Sequence, residues 1–179
     1  MAPERSLQSW CRPFVLVGLL VCLSSTAANG QERQAPRYSA TPSRVIAGTV
    51  VEGDVDTRTL RAALDALPRR PERIVVLDDA AVPPAVDRQL RDLDGFVPVG
   101  SRVIYLRRLS PTLLAAEYSG GPDLLMLAAV IWHEMAHAEG LDEPHARQRE
   151  EDLWKQFVQR AMVDSGVGLT YLAELRRRR

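Results

Sequence analysis

The chain has 179 residues, 46% of them hydrophobic, with 23 basic and 23 acidic side chains and 3 histidines. That length suits one globular domain and leaves little room for two. Zero net charge gives no electrostatic footprint for nucleic acid, and the one block of like charge is the arginine run at 176–179.

Residues 1–30 have the layout of a secretory signal peptide: a basic start with Arg5 and Arg12, the apolar run FVLVGLLVCL, then the small residues SSTAANG. An apolar core of about ten residues is too short for a permanent span. The expectation is an exported protein, periplasmic or secreted, with no stable membrane insertion once the signal is removed. Both cysteines, Cys11 and Cys22, fall inside that segment. The mature chain would then have no disulfide and no thiolate ligand, so any metal must be held by His, Asp or Glu.

Residues 31–43 are polar and carry Pro36 and Pro42, a flexible lead-in to a single domain at 44–179. RVIAGTVVEG at 44–53 reads as a strand with Gly48 as a bulge. DTRTLRAALDAL at 56–67 puts Leu60, Ala63, Leu64 and Leu67 on one helical face, with Asp56 or Thr57 as its cap. ERIVVLDD at 72–79 is a buried strand. PAVDRQLRDLDG at 84–95 is a short helix closed by Gly95. SRVIYLRR at 101–108 is a third strand, with Ile104 and Leu106 facing opposite to Val103, Tyr105 and Arg107. A helix at 111–118 follows. PDLLMLAAVIWHEMAHAEG at 122–140 is then a long helix, apolar nearly all round until Trp132, as a buried helix is. A second long helix runs over 142–163, and GLTYLAELRRRR forms a last helix or frayed tail. The class is therefore α+β, a small sheet of about three strands on a helical core.

The chemistry concentrates in HEMAH. On a helix His133 and His137 are one turn apart on the same face, so two imidazoles can reach one Zn2+ ion. Glu134 stands beside them without lying between them. Zinc lowers the pKa of a bound water to about 7, and a neighbouring carboxylate can take its proton. Burying His133, Glu134 and His137 without partners would cost several kcal/mol.

VIWHEMAHAEG resembles the active-site helix of the zincin metallopeptidases, and the layout is similar to small gluzincins: a short sheet, an HExxH helix, then a helix bearing a glutamate ligand. The resemblance implies zinc ligands at His133 and His137 and a catalytic base at Glu134. Val130 fits the family pattern, whereas Glu139 stands where that pattern is usually hydrophobic. It is specific over about 25 residues and loose over roughly 100. The metzincin pattern HExxHxxGxxH is met through Gly140 but has Glu143 in place of its last histidine.

Four residues compete for the third ligand: Glu143, His145, Glu150 and Glu151. At about 100° per residue, Ala146, Leu153, Trp154, Phe157 and Ala161 fall within about 60° of Glu150. On the same count Glu143 is about 20° away, Glu151 about 100° and His145 about 140°. The ion should sit roughly 7.5 Å before Gly140 along the helix, level with residues 147–149 of an antiparallel partner. Glu150 is placed first on both tests, Glu143 second as the alternative ligand, and His145 and Glu151 last. If Glu150 is the ligand, Glu143 supports it.

By the same resemblance, SRVIYLRR is the edge strand to which an extended substrate adds. Tyr105, Tyr118, His145 and Tyr171 are the candidates to stabilise an oxyanion, and Trp132 and Trp154 read as core. The expected function is an exported zinc metallopeptidase acting on a peptide or protein substrate. The alternative is a non-catalytic, zinc-containing binding or scaffold module. A metal-free helical domain is the third reading.

Overall fold

A computed structural model describes residues 43–82 and 84–177. The expected signal peptide, and the lead-in up to residue 42, lie outside the described residues.

Five strands form one mixed sheet: β1 (Arg44–Ile46), β2 (Thr49–Glu52), β3 (Arg73–Leu77), β4 (Gly95–Phe96) and β5 (Val103–Arg107), in the order β1-β2-β3-β5-β4. Strands β2, β3 and β5 run parallel, while β1 and β4 lie antiparallel to their neighbours. Among the described residues six α-helices accompany them: α1 (Thr57–Asp65), α2 (Pro84–Leu90), α3 (Pro111–Ser119), α4 (Gly121–Ala138), α5 (Glu143–Gln159) and α6 (Ser165–Arg177). The α+β class holds.

The sheet has five strands rather than the expected three or so, because two of the expected assignments change. The stretch 44–53 is a hairpin rather than one strand. Ala47 and Gly48 take φ of 50° and 86°, so Gly48 completes a two-residue turn instead of making a bulge. Helix α2 stops at Leu90, and Gly95 opens strand β4 rather than closing the helix. A Cβ at Gly95 would lie 3.0 Å from the Tyr105 carbonyl oxygen, so β4 can lie so close to β5 only because no side chain is there.

Strand β5 consequently has neighbours on both sides, and the edge expected of residues 101–108 belongs to β4. Alternation along β3 and β5 turns Ile74, Val76, Ile104 and Leu106 toward the helices. There they join Leu60 and Leu64 of α1, Leu127 and Ile131 of α4, and Trp154 and Phe157 of α5 in one core. Each such side chain contributes about 1.5–3 kcal/mol by its burial. Helix α4 is the hub, packed against α1, α3, α5 and the β4–β5 corner. Among the described residues no helix is long and apolar enough to cross a membrane.

The connection that delivers β4 is fastened by one buried arginine. Arg107 of β5 donates through Nε to Asp79 Oδ1 at 2.6 Å, through Nη1 to the Leu90 carbonyl at 3.0 Å and through Nη2 to Asp87 Oδ1 at 3.2 Å. Its backbone N–H donates to the Asp94 carbonyl at 3.0 Å, next to the start of β4. The other oxygen of Asp79 accepts from the Leu109 N–H at 2.8 Å. Replacing Arg107 by Ala leaves Asp79 buried without its counter-charge, a loss of about 3–5 kcal/mol. Urea unfolding of Arg107→Ala should show that loss as a lower midpoint.

Candidate metal centre

Helix α4 brings its motif to the centre in three steps. Its first part, through Ile131, is anchored by apolar contacts. Its last turns carry His133, Glu134 and His137. It then ends in a Schellman turn: the Gly140 N–H donates to the His137 carbonyl at 2.9 Å and the Leu141 N–H to the Ala136 carbonyl at 3.0 Å. Gly140 has φ of 86°, the left-handed conformation that such a turn needs at this position. Asp142 caps α5 by accepting from the His145 N–H at 3.1 Å, and Glu143 is the first residue of the new helix. The reversal is so tight that Glu143 points back at the helix just left.

Both imidazoles are held by their Nδ1 atoms. His137 Nδ1 is 3.0 Å from the Leu141 carbonyl oxygen, and His133 Nδ1 is 3.0 Å from Glu150 Oε2. A carbonyl accepts only, and so does an ionised carboxylate, so each Nδ1 carries the hydrogen. In the neutral rings both Nε2 atoms are then bare lone pairs. They face one another at 3.1 Å, and Glu143 Oε2 lies 3.1 Å from one and 3.4 Å from the other. Three acceptors thus surround one point, an arrangement that calls for a cation. Tetrahedral ligands at about 2.0–2.1 Å from an ion stand about 3.3 Å apart, close to the spacing seen here. The residues present therefore fit a metal ion held by His133, His137 and Glu143.

The sequence ranking of the third ligand is reversed by this geometry. Glu150 is level with His133, as its height implied, but it sits at Nδ1, on the opposite side of the ring from the meeting point. Its other oxygen accepts from the Tyr171 hydroxyl at 2.7 Å. Glu150 supports the histidine and Glu143 faces the centre, the reverse of the expected roles. His145 is exposed and paired with Asp142. Glu151 is buried but serves α6, accepting from Arg176 at 3.1 Å.

Of the oxyanion candidates, Tyr171 has its hydroxyl on Glu150, Tyr105 is stacked on Phe96, and Tyr118 is 89% exposed. Trp154 is core as expected, whereas Trp132 is half-buried beneath the Arg149 guanidinium. Two contributors went unread. Arg147 donates to Glu143 Oε1 at 2.5 Å, a pairing that its i,i+4 spacing signals. Gly95 of the edge strand lies against the motif: a Cβ there would come 3.4 Å from Glu134 Cγ.

Electrostatics follows from this crowding. Burial pushes the Glu134 carboxyl up to about 7, against the pull of His133 and His137, and the charges on Glu143 and Glu150 add to the rise. For His133 burial acts downward, but Glu143 and Glu150 outweigh it and raise the ring to about 10. Glu143, although burial opposes it, is held far below the usual carboxylate range by the two imidazoles and Arg147.

Comparison with known protein families, with characterised proteins and with solved structures finds no match to this chain.

Because a metal must displace the protons that these raised imidazoles carry, uptake should release protons, and affinity should rise from pH 6 to pH 8. Calorimetric titration with zinc in two buffers of different ionisation enthalpy reads the proton count. Glu143→Ala should weaken binding more than Glu150→Ala, which leaves all three facing atoms in place.

Proposed function

We propose that the protein is an exported zinc-dependent metallopeptidase of zincin-like, gluzincin-related layout. The observation that carries the proposal is the convergence of His133 Nε2, His137 Nε2 and Glu143 Oε2 beside the buried Glu134. Two imidazoles and a carboxylate suit zinc among the first-row ions. Three protein ligands, as among the described residues here, are the pattern of catalytic sites, whereas structural sites tend to close with four. That favours turnover over a scaffold role.

Zinc, when bound, supplies a Lewis acid that polarises the scissile carbonyl and acidifies water. The chain's own residues supply the rest. Glu134, with a carboxyl raised to about 7, accepts a proton from the attacking water and delivers it to the departing amine as the C–N bond breaks. Glu150 and the Leu141 carbonyl hold the two rings in the tautomer that aims Nε2 at the centre. Arg147 keeps Glu143 ionised and oriented.

The substrate is a peptide or protein segment in extended form. Strand β4 is the sheet edge next to Glu134, and an extended chain adding to it would pass the base. This replaces strand β5 in the role expected of residues 101–108. The amino-terminal layout of a basic start, an apolar core and small residues supports export.

Glu134→Gln keeps the shape of the side chain and removes the base. With zinc content unchanged, its turnover of a peptide library should fall by about 10²–10⁴-fold. Undiminished cleavage by Glu134→Gln, or no cleavage of any peptide by the zinc-loaded wild type, would rule the proposal out.

A further inference from the structure

The hydrogen-bond chain behind His133 does not stop at Glu150. It continues to the carboxyl-terminal helix, where the Tyr171 hydroxyl donates to Glu150 Oε1 at 2.7 Å while Glu150 Oε2 stands 3.0 Å from His133 Nδ1. Both oxygens of this buried carboxylate are thereby assigned, one to the helix that follows and one to the metal centre. A carboxylate held at one oxygen is free to swing about its last bonds; held at both, it presents a fixed acceptor.

Helix α6 is itself fastened for this task. The Tyr171 ring lies on Trp154, with centroids 4.2 Å apart. Trp154 Nε1 donates to the Gly168 carbonyl at 2.9 Å. A Cβ at Gly168 would run into Val158, so glycine lets α6 settle against α5. Leu172 and Leu175 are buried at the same contact.

We infer that Tyr171 is a positioning residue of the metal centre: its hydroxyl orients Glu150, Glu150 locks the His133 ring, and docking of α6 is thereby coupled to metal affinity. The inference rests on the reading of His133 as a metal ligand. It is independent of whether the site cleaves peptides. Coupling of this kind is reciprocal, so metal binding must also tighten α6.

Two variants separate positioning from simple stabilisation. Tyr171→Phe keeps the ring on Trp154 and removes only the hydroxyl. Leu172→Ala loosens α6 and keeps the hydroxyl. Zinc affinity is measured by competition with a chromophoric chelator, and melting temperature on the metal-free proteins. Tyr171→Phe should weaken zinc binding by about tenfold, the usual cost of losing an outer-shell partner. It should also shift the Nδ1–H signal of His133 in the zinc-loaded protein. Leu172→Ala should lower the melting temperature more and the zinc affinity less. Independently of any variant, zinc should slow hydrogen exchange of the amides in α6 of the wild-type protein. Undiminished affinity in Tyr171→Phe, affinity that merely tracks melting temperature across the two variants, or unchanged exchange in α6 would each overturn the inference. A wild type that binds no zinc would instead remove the metal reading itself, and this inference with it.

Discussion

With each Nδ1 hydrogen committed to an acceptor, the lone pairs of His133 and His137 are left facing each other and a carboxylate oxygen. Three acceptors at van der Waals separation repel unless positive charge lies among them. In a half-buried site that repulsion is poorly screened, and a polar group without a partner there costs roughly 2–7 kcal/mol. Protons relieve it in the metal-free protein, which is why His133 rises to about 10. A metal ion would relieve it at the same point. The arrangement around the centre can be understood as what is needed to hold this unfavourable set of groups together.

The requirement accounts for several features that look unrelated along the chain. An apolar α4, gripped by α1, α3, α5 and the sheet, supplies a support stiff enough to keep two rings pointed at one spot. The Schellman turn does two things at once. It ends α4, and it leaves the Leu141 carbonyl where His137 Nδ1 can reach it. Capping by Asp142 then starts α5 without delay, so Glu143 comes back at the level of His137. On the far side, Gly95 allows the edge strand to touch Glu134, and the Arg107 cluster holds the connection that carries it.

Much of this was legible in the sequence, and the failures have specific physical causes. Helical periodicity identified α1 and α5, the unbroken apolar run from a proline to Gly140 identified α4, and alternation in VIYLR separated the two faces of β5, because these patterns are set by burial. His133 and His137 meet as their spacing requires. The order of Glu150 and Glu143 as candidate ligands departs from the geometry for a different reason. Angle and height along a helix hairpin locate a residue beside a ring, and they correctly put Glu150 beside His133. They do not say which ring nitrogen it meets. That depends on the rotation of the imidazole, and the partners of the two rings, Glu150 for His133 and the Leu141 carbonyl for His137, have no signature in local pattern that says which nitrogen they meet. The hairpin at 44–53 was misread because its two-residue turn uses Ala47, a residue that rarely takes positive φ. Strand β4 escaped because two residues are too few to show any period.

Charge balance sets how the centre would respond to an ion. Where both imidazoles are protonated, the cluster holds two positive charges at the meeting point of three side chains. Exchanging those two protons for one divalent cation leaves the total unchanged. Glu143, Glu150 and Arg147 would then face the same net charge in either state. Glu134 benefits from the same balance. Its carboxyl is lifted by burial and by two neighbouring carboxylates, and lowered by the positive charge of the rings. A cation among the rings would pull on the Glu134 carboxyl in the same downward direction as the imidazolium charge it replaced. A carboxyl poised between these opposing influences can exchange a proton in either direction near neutral pH, the property asked of a general acid–base group.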